Sequence, residues 1–287
     1  MARRRRGSSG STSPGTTRRH RGSWLMPRTL WAVSDLHVTF AENQAVVDKL
    51  APRHPGDWLI VAGDVAERIP DVVRTLGALK QRFDTVIWVP GNHELFNRSS
   101  DRVTGRARYR ALVGQLRAIG VITPEDPYPV FGRVTVCPLF TLYDYSFRPP
   151  GLTAQQAVAR ASVKLDDEIA IAPYVDIEKW CAERVEYTED RLKATRGEKV
   201  LVNHWPLVIE PTHRLRMRDI ALWCGTTATR DWPVKHHAVM AIHGHLHIPV
   251  ETRVDGISHV EVSLGYPFEQ HPPHLARPWP FPVMQIN

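Results

Sequence analysis

The chain has 287 residues, 43% hydrophobic and 23% charged, enough to bury a sizeable core in one large domain or two small ones. No apolar run approaches the roughly 20 residues of a membrane span. Three scattered cysteines, Cys137, Cys181 and Cys224, argue against a disulfide framework and fit a reducing cytoplasm. The net charge of +7 belongs to the first 26 residues, which hold seven arginines and no acid; without them the 37 Lys and Arg fall to 30, matching the 30 Asp and Glu. A nucleic-acid-binding body thereby loses its main support.

Residues 1–27 are mostly Arg, Ser, Gly and Thr with almost nothing to bury, so they are expected to form a disordered basic tail. Arg3 to Arg6 resemble the start of an export signal, but no apolar stretch follows them before the first strand. Met26, just ahead of that strand, is an alternative start. From there the pattern predicts strand 29–34, ending in Asp35-Leu36-His37, and a short helix over 45–50. Strand 57–62 follows, ending in Gly63-Asp64, then an amphipathic helix over 70–83. A third buried strand runs from Val86 into Pro90-Gly91-Asn92-His93-Glu94. A further amphipathic helix over 109–119 has Leu112, Val113, Leu116 and Ile119 on one face. This alternation implies parallel pairing with right-handed crossovers.

Strand character resumes at 134–139. Residues 148–195 read as a charged helical insertion whose longest helix spans 175–194. Strand 199–202 runs into Asn203-His204, and strand 239–242 into His243-Gly244-His245-Leu246-His247. Strands 250–254 and 257–262, joined by Asp255-Gly256, predict a hairpin. A last strand is expected near 283–286.

Five apolar strands thus end in metal-type ligands: Asp35 with His37, Asp64, Asn92 with His93, His204, and His243 with His245 and His247. Residues i and i+2 of an extended segment share a side, so Asp35 with His37, and His245 with His247, are expected to face one site. Imidazole, carboxylate and amide oxygen without thiolate suit Mn, Fe, Zn or Co. Seven ligands exceed one ion's need, and a shared carboxylate would hold two. Taken singly, Asp35 reads better as a helix cap, Asp64 and Asn92 as turn residues, and His204 as a core histidine. The recurrence at five strand ends carries the metal reading. His243 is expected to lie buried against the sheet.

The ordered set Asp-x-His, Gly-Asp, Gly-Asn-His-Glu, Asn-His and Gly-His-x-His, spanning Asp35 to His247, resembles the calcineurin-like metallophosphoesterase superfamily. That resemblance implies an α/β fold, a four-layer α/β/β/α sandwich over residues 28–287 carrying the helical insertion at 148–195, with a dinuclear metal centre. By the same likeness Asp35, His37 and His247 hold one metal, Asn92, His204 and His245 the other, and Asp64 bridges them. A hydroxide between the metals attacks phosphorus, and His93 is a catalytic non-ligand histidine. Glu67 stands where many relatives carry an aspartate directed at that histidine, so it is the second catalytic candidate. Arg68 is a candidate for binding substrate phosphate, or simply a surface arginine.

Longer stretches, residues 57–68, 105–109, 142–147, 222–227 and 244–249, resemble the phosphopantetheinyl hydrolases of actinobacteria. This likeness implies manganese and iron as the two metals. It also implies holo-acyl carrier protein as substrate, cut at the phosphodiester between 4′-phosphopantetheine and serine. Arg102, Arg106, Arg108 and Arg110 are then candidates for steering an acidic partner, or a solvated helix face. Alternatives are a small-molecule or cyclic-nucleotide phosphodiesterase or phosphatase, and a DNA nuclease. A non-catalytic scaffold would be expected to lack several of these residues. Neither a membrane nor a nucleic-acid partner is expected.

Overall fold

A computed structural model describes residues 1–2, 27–269 and 278–286. Most of the expected basic tail, residues 3–26, lies outside them. The elements in order are β1 (Arg28–Val33), α1 (Ala41–Val47), β2 (Trp58–Val61), α2 (Ile69–Arg82), β3 (Thr85–Trp88), α3 (Asn92–Leu95) and α4 (Gly105–Ala118). Then come β4 (Val130–Phe131), β5 (Val134–Pro138), α5 (Ala154–Arg160), α6 (Asp167–Ala170), α7 (Ile177–Ala194) and β6 (Lys199–Val202). The chain closes with α8 (Trp232–Lys235), β7 (Ala238–His243), β8 (Glu251–Val254), β9 (Ile257–Glu261) and β10 (Phe281–Ile286).

Two sheets form. One has the order β10-β1-β2-β3 and the other β4-β5-β6-β7-β9-β8. β1, β2 and β3 pair in parallel, as do β5, β6, β7 and β9, whereas β10, β4 and β8 run antiparallel at the edges. Alternation along the strands sorts side chains between layers. Leu30, Ala32, Ile60, Ala62 and Ile87 meet Val134, Val136, Val200, Val202 and Ile242 of the other sheet. Trp31, Val33, Leu59, Val61 and Trp88 face the opposite way, onto Leu76 and Leu79 of α2 and Leu112 and Leu116 of α4. The outer face of the second sheet packs Cys137, Leu201 and Ala241 against Leu192 of α7 and Trp232 of α8. The result is the expected four-layer α/β/β/α sandwich.

The predicted segments shift at a few ends. The first helix starts at Ala41, four residues before the expected 45; Asp48 N still bonds to Gln44 O, and Lys49 and Leu50 then close the helix with tighter bonds to Val46 O and Val47 O, three residues back. α4 likewise begins at Gly105, which takes Arg106 and Arg108 into the helix. α2 has Pro70 in its first turn and Arg82 in its last, the ends that suit a residue without an N–H and a cation. The Asp255-Gly256 turn has φ of 49° and 81°, the left-handed pair a two-residue hairpin requires. The 148–195 segment is helical, but α6 and the 3-10 turn at Ala172–Tyr174 break it into short pieces.

All three cysteines are buried and free. Among the described residues no helix is long and apolar enough to cross a membrane.

Candidate metal centre

The carboxyl ends of β1, β2, β3, β6 and β7 converge, and the loops that leave them carry every predicted ligand. These loops are not extended. Asp35, His37, Asp64, His245 and His247 have φ of 53°, 41°, 55°, 75° and 54°, in the left-handed region. The i, i+2 premise therefore fails: Asp35 and His37 still meet in one group, whereas His245 and His247 fall in different groups that line one cavity. The physical reason is that each loop crosses the ends of its neighbours. Asp35 N donates to Gly63 O and His37 N to Asp64 O, both at 3.0 Å, while His245 N donates to the Asp35 carboxylate at 3.1 and 3.2 Å. Non-glycine residues held there cost on the order of 1–3 kcal/mol each, a strain typical of sites that preorganise ligands.

Two glycines show how close the loops run. A Cβ on Gly91 would lie 2.0 Å from Asp64 Oδ1, and one on Gly244 would lie 2.0 Å from Ser34 Oγ and 2.3 Å from Asp35 Oδ2. The glycine of each Gly-Asn-His and Gly-His motif is thus the space into which an aspartate fits.

Seven side chains form two groups, and Asp64 of the second also lies close to His37 of the first. Asp35, His37 and His247 make the first: His247 Nε2 lies 3.1 Å from Asp35 Oδ1 and 3.2 Å from His37 Nε2. Asp64, His204 and His245 make the second, with Asn92 Oδ1 3.2 Å from His204 Nε2 and 3.0 Å from His245 Nδ1. Asp64 Oδ2 is 3.4 Å from His204 Nε2, and Asp64 also clusters with His37 and His93. All seven are buried or nearly so.

This donor set fits cations. Two imidazole nitrogens facing each other at 3.2 Å need a proton or a metal between them. The second ring nitrogens are held as metal-ligating histidines hold them: His204 Nδ1 lies 2.8 Å from Ala62 O, and His247 Nδ1 lies 2.8 Å from Glu269 Oε2.

The electrostatics agree. Burial disfavours the His204 cation, yet Asp64 and Asp35 outweigh it and pull the group up to about 9. Burial pushes His37 down to about 4, and burial together with His204 pushes His245 down to about 3. Both aspartates are held below the usual carboxylate range against burial, Asp35 chiefly by His247 and Asp64 chiefly by His204.

His93 stands beside this set. Its backbone N–H donates to Asp64 Oδ1 at 2.9 Å, Nε2 lies 3.9 Å from Asp64 Oδ2, and Nδ1 lies 3.8 Å from Glu67 Oε1. The last distance is an ion-pair separation, longer than a hydrogen bond. His93 and Arg98 hold the Glu67 carboxyl down at about 2. Burial opposes the His93 cation, but Asp64 and Glu67 prevail and raise its pKa. Arg68 is exposed and lines the neighbouring depression with Glu67 and Arg98, not the cavity of about 340 Å³ that holds Asp64, Asn92 and His93. His243 is buried, with Nδ1 3.1 Å from Gly244 O, as expected for a residue against the sheet.

The sequence reading missed several supports. Glu94 is fully buried and accepts from the backbone N–H groups of Gly91, Asp64 and Val65 at 2.7, 3.0 and 2.6 Å, bracing two ligand loops at once. Its place in Gly-Asn-His-Glu was the available signal. Ser34 and Ser263 hydroxyls donate to Asp35 Oδ2 at 2.6 and 2.7 Å. The Tyr266 hydroxyl lies 3.3 Å from His93 Nε2, and its ring stacks on His37. No local pattern marked Ser263, Tyr266 or Glu269.

The family model for calcineurin-like phosphoesterases matches residues 28–249. The chain belongs to that family. Its chemistry is metal-dependent phosphodiester hydrolysis. The [acyl-carrier-protein] phosphodiesterase PptH of Mycobacterium tuberculosis is 47% identical over 255 residues, 84% of this chain and 79% of that protein. The crystal structure of the phosphopantetheinyl hydrolase PptH from the same organism superposes with a TM-score of 0.81 at 46% identity, covering 84% of this chain and 90% of the other.

Proposed function

We propose that this enzyme hydrolyses the phosphodiester that joins 4′-phosphopantetheine to the serine of holo-acyl carrier proteins, releasing the apo carrier and 4′-phosphopantetheine. The observation that carries the reading is an intact two-group ligand set at the strand ends, in a chain nearly half identical to a phosphodiesterase named for that substrate.

Asp35, His37 and His247 would hold one cation, Asn92, His204 and His245 the other, and Asp64 would be shared between them. We assign them as manganese and iron, bound by a set of hard and borderline donors without thiolate. Bound there, they supply the positive charge that polarises the phosphoryl group and lowers the pKa of water.

The chain's own residues do the rest. Asp64 and Glu67 raise the pKa of His93 and so favour its protonated form, and Arg98 anchors Glu67 through a salt bridge. His93 Nε2, in the cavity wall, gives that proton to the departing serine oxygen. Glu67 substitutes for a shorter aspartate and acts across 3.8 Å by charge, not by a tight hydrogen bond. Arg68, in the adjoining depression, has less support as a phosphate ligand. The setting we infer is the cytoplasm, where three free thiols are stable.

Metal-replete enzyme is tested against holo-carrier protein, cyclic nucleotides and DNA. The reading requires the carrier to fall to its apo mass at the highest kcat/KM of the three; an intact carrier beside cleaved cyclic nucleotide or DNA contradicts it. In the same assay His93→Ala should keep both metals and lose about 10²- to 10⁴-fold in turnover. Full activity in that variant removes the role given to His93.

A further inference from the structure

Asp167 belongs to α6, a four-residue helix far from every ligand in sequence, yet it ends buried at 1% exposure against Asn92. Asn92 Nδ2 donates to Asp167 Oδ2 at 3.1 Å. The other end of the same amide, Oδ1, faces His204 Nε2 and His245 Nδ1. The two ends of an amide are nearly identical in shape and opposite in chemistry: the oxygen can ligate a cation and the NH₂ cannot. Rotated by half a turn, Asn92 would press its oxygen against the Asp167 carboxylate and aim NH₂ at the second group of ligands.

The helix that carries Asp167 is held from three sides. Ala170 O accepts from Asn97 N at 2.8 Å and Asn97 Nδ2 at 2.9 Å, tying α6 to the chain just past α3. Glu168 Oε1 accepts from the Tyr145 hydroxyl at 2.9 Å and Trp223 Nε1 at 2.8 Å. Asp167 itself lines the cavity that contains Asp64, His93 and His245. A short helix of little intrinsic stability is thus clamped where its first residue meets a ligand's idle end.

We propose that Asp167 is a positioning residue that fixes which end of Asn92 faces the second cation, so that the 148–195 segment completes the metal centre. The proposal rests on the reading of Asn92 as a metal ligand. Loss of a group that orients a ligand costs metal affinity about 10- to 100-fold.

The test is calorimetric titration of metal-free protein with Mn²⁺, following the two sites without any substrate. Asp167→Ala should weaken the second site on the order of tenfold or more and leave the first unchanged. A carboxylate has no wrong way round, so Asn92→Asp combined with Asp167→Ala should recover most of the lost affinity. A merely structural role for Asp167 would not be repaired that way. Asp167→Leu, close in volume, serves if the alanine variant misfolds, with the same loss and the same rescue expected. Wild-type affinity in the single variant, or a double variant as weak as the single, overturns the proposal. A wild-type protein that binds only one Mn²⁺ would instead sink the two-metal reading on which it stands.

Discussion

Glu94 carries more of the site than its exposure suggests. Burial and the neighbouring Asp64 charge push its carboxyl up to about 7, against the pull of the backbone N–H groups it accepts. Glu94→Ala leaves three buried N–H groups without an acceptor, each worth about 1–3 kcal/mol. Urea unfolding should then show a loss of about 3 kcal/mol or more, whereas a change below about 1 kcal/mol would mean that water replaces the carboxylate. His204 gives a pH prediction. Its pKa of about 9 lies above the ordinary value, so at neutral pH the metal-free histidine holds a proton that an entering cation must displace. Metal affinity should therefore climb as pH rises toward about 9. Calorimetry at pH 7 in buffers of different ionisation enthalpy should report proton release; none would contradict the His204 assignment.

The strands and long helices were legible because their patterns are local: the continuous apolar runs of β1 to β3 and the apolar faces of α2 and α4 are written in adjacent residues. The ligands were legible because each follows an apolar strand immediately. What escaped was set by tertiary packing. α6 is too short to nucleate alone, and β4 is two residues stabilised by its pairing with β5. The left-handed turns at Asp35 and His37 are imposed by bonds to the β2 loop. Ser263, Tyr266 and Glu269 come from a stretch whose own pattern says little. Within the 148–195 segment α7 is the structural anchor. Trp180 is 3% exposed, meets Phe140 edge-on at 5.4 Å and lies beneath the Arg106 guanidinium. Trp180→Ala should cost about 3–5 kcal/mol of stability by denaturant unfolding. A loss below about 1 kcal/mol would mean that α7 packs independently of this anchor.

Over the whole molecule, the charge seen in composition redistributes once the chain folds. Of the four arginines considered for steering, Arg108 is buried and bonds to Glu94 O, Glu67 O and Asp101, so it ties the segments after β2 and β3 together. Arg106 is tied to Glu183. Arg102 and Arg110 remain exposed and free to meet an acidic partner. The sandwich brings five strand ends from two sheets to one edge, and the helical segment reaches the same edge through Asp167. This convergence turns scattered short motifs into one centre, and the proposed reaction gives that centre one bond to break, between the serine oxygen and phosphorus. The most direct test is hydrolysis of holo-carrier protein by metal-replete enzyme in ¹⁸O-water, read by intact mass. Attack at phosphorus with serine leaving predicts one ¹⁸O in 4′-phosphopantetheine and an unlabelled carrier at its apo mass. A carrier that keeps the phosphate on its serine, or that is not cut at all, would contradict it.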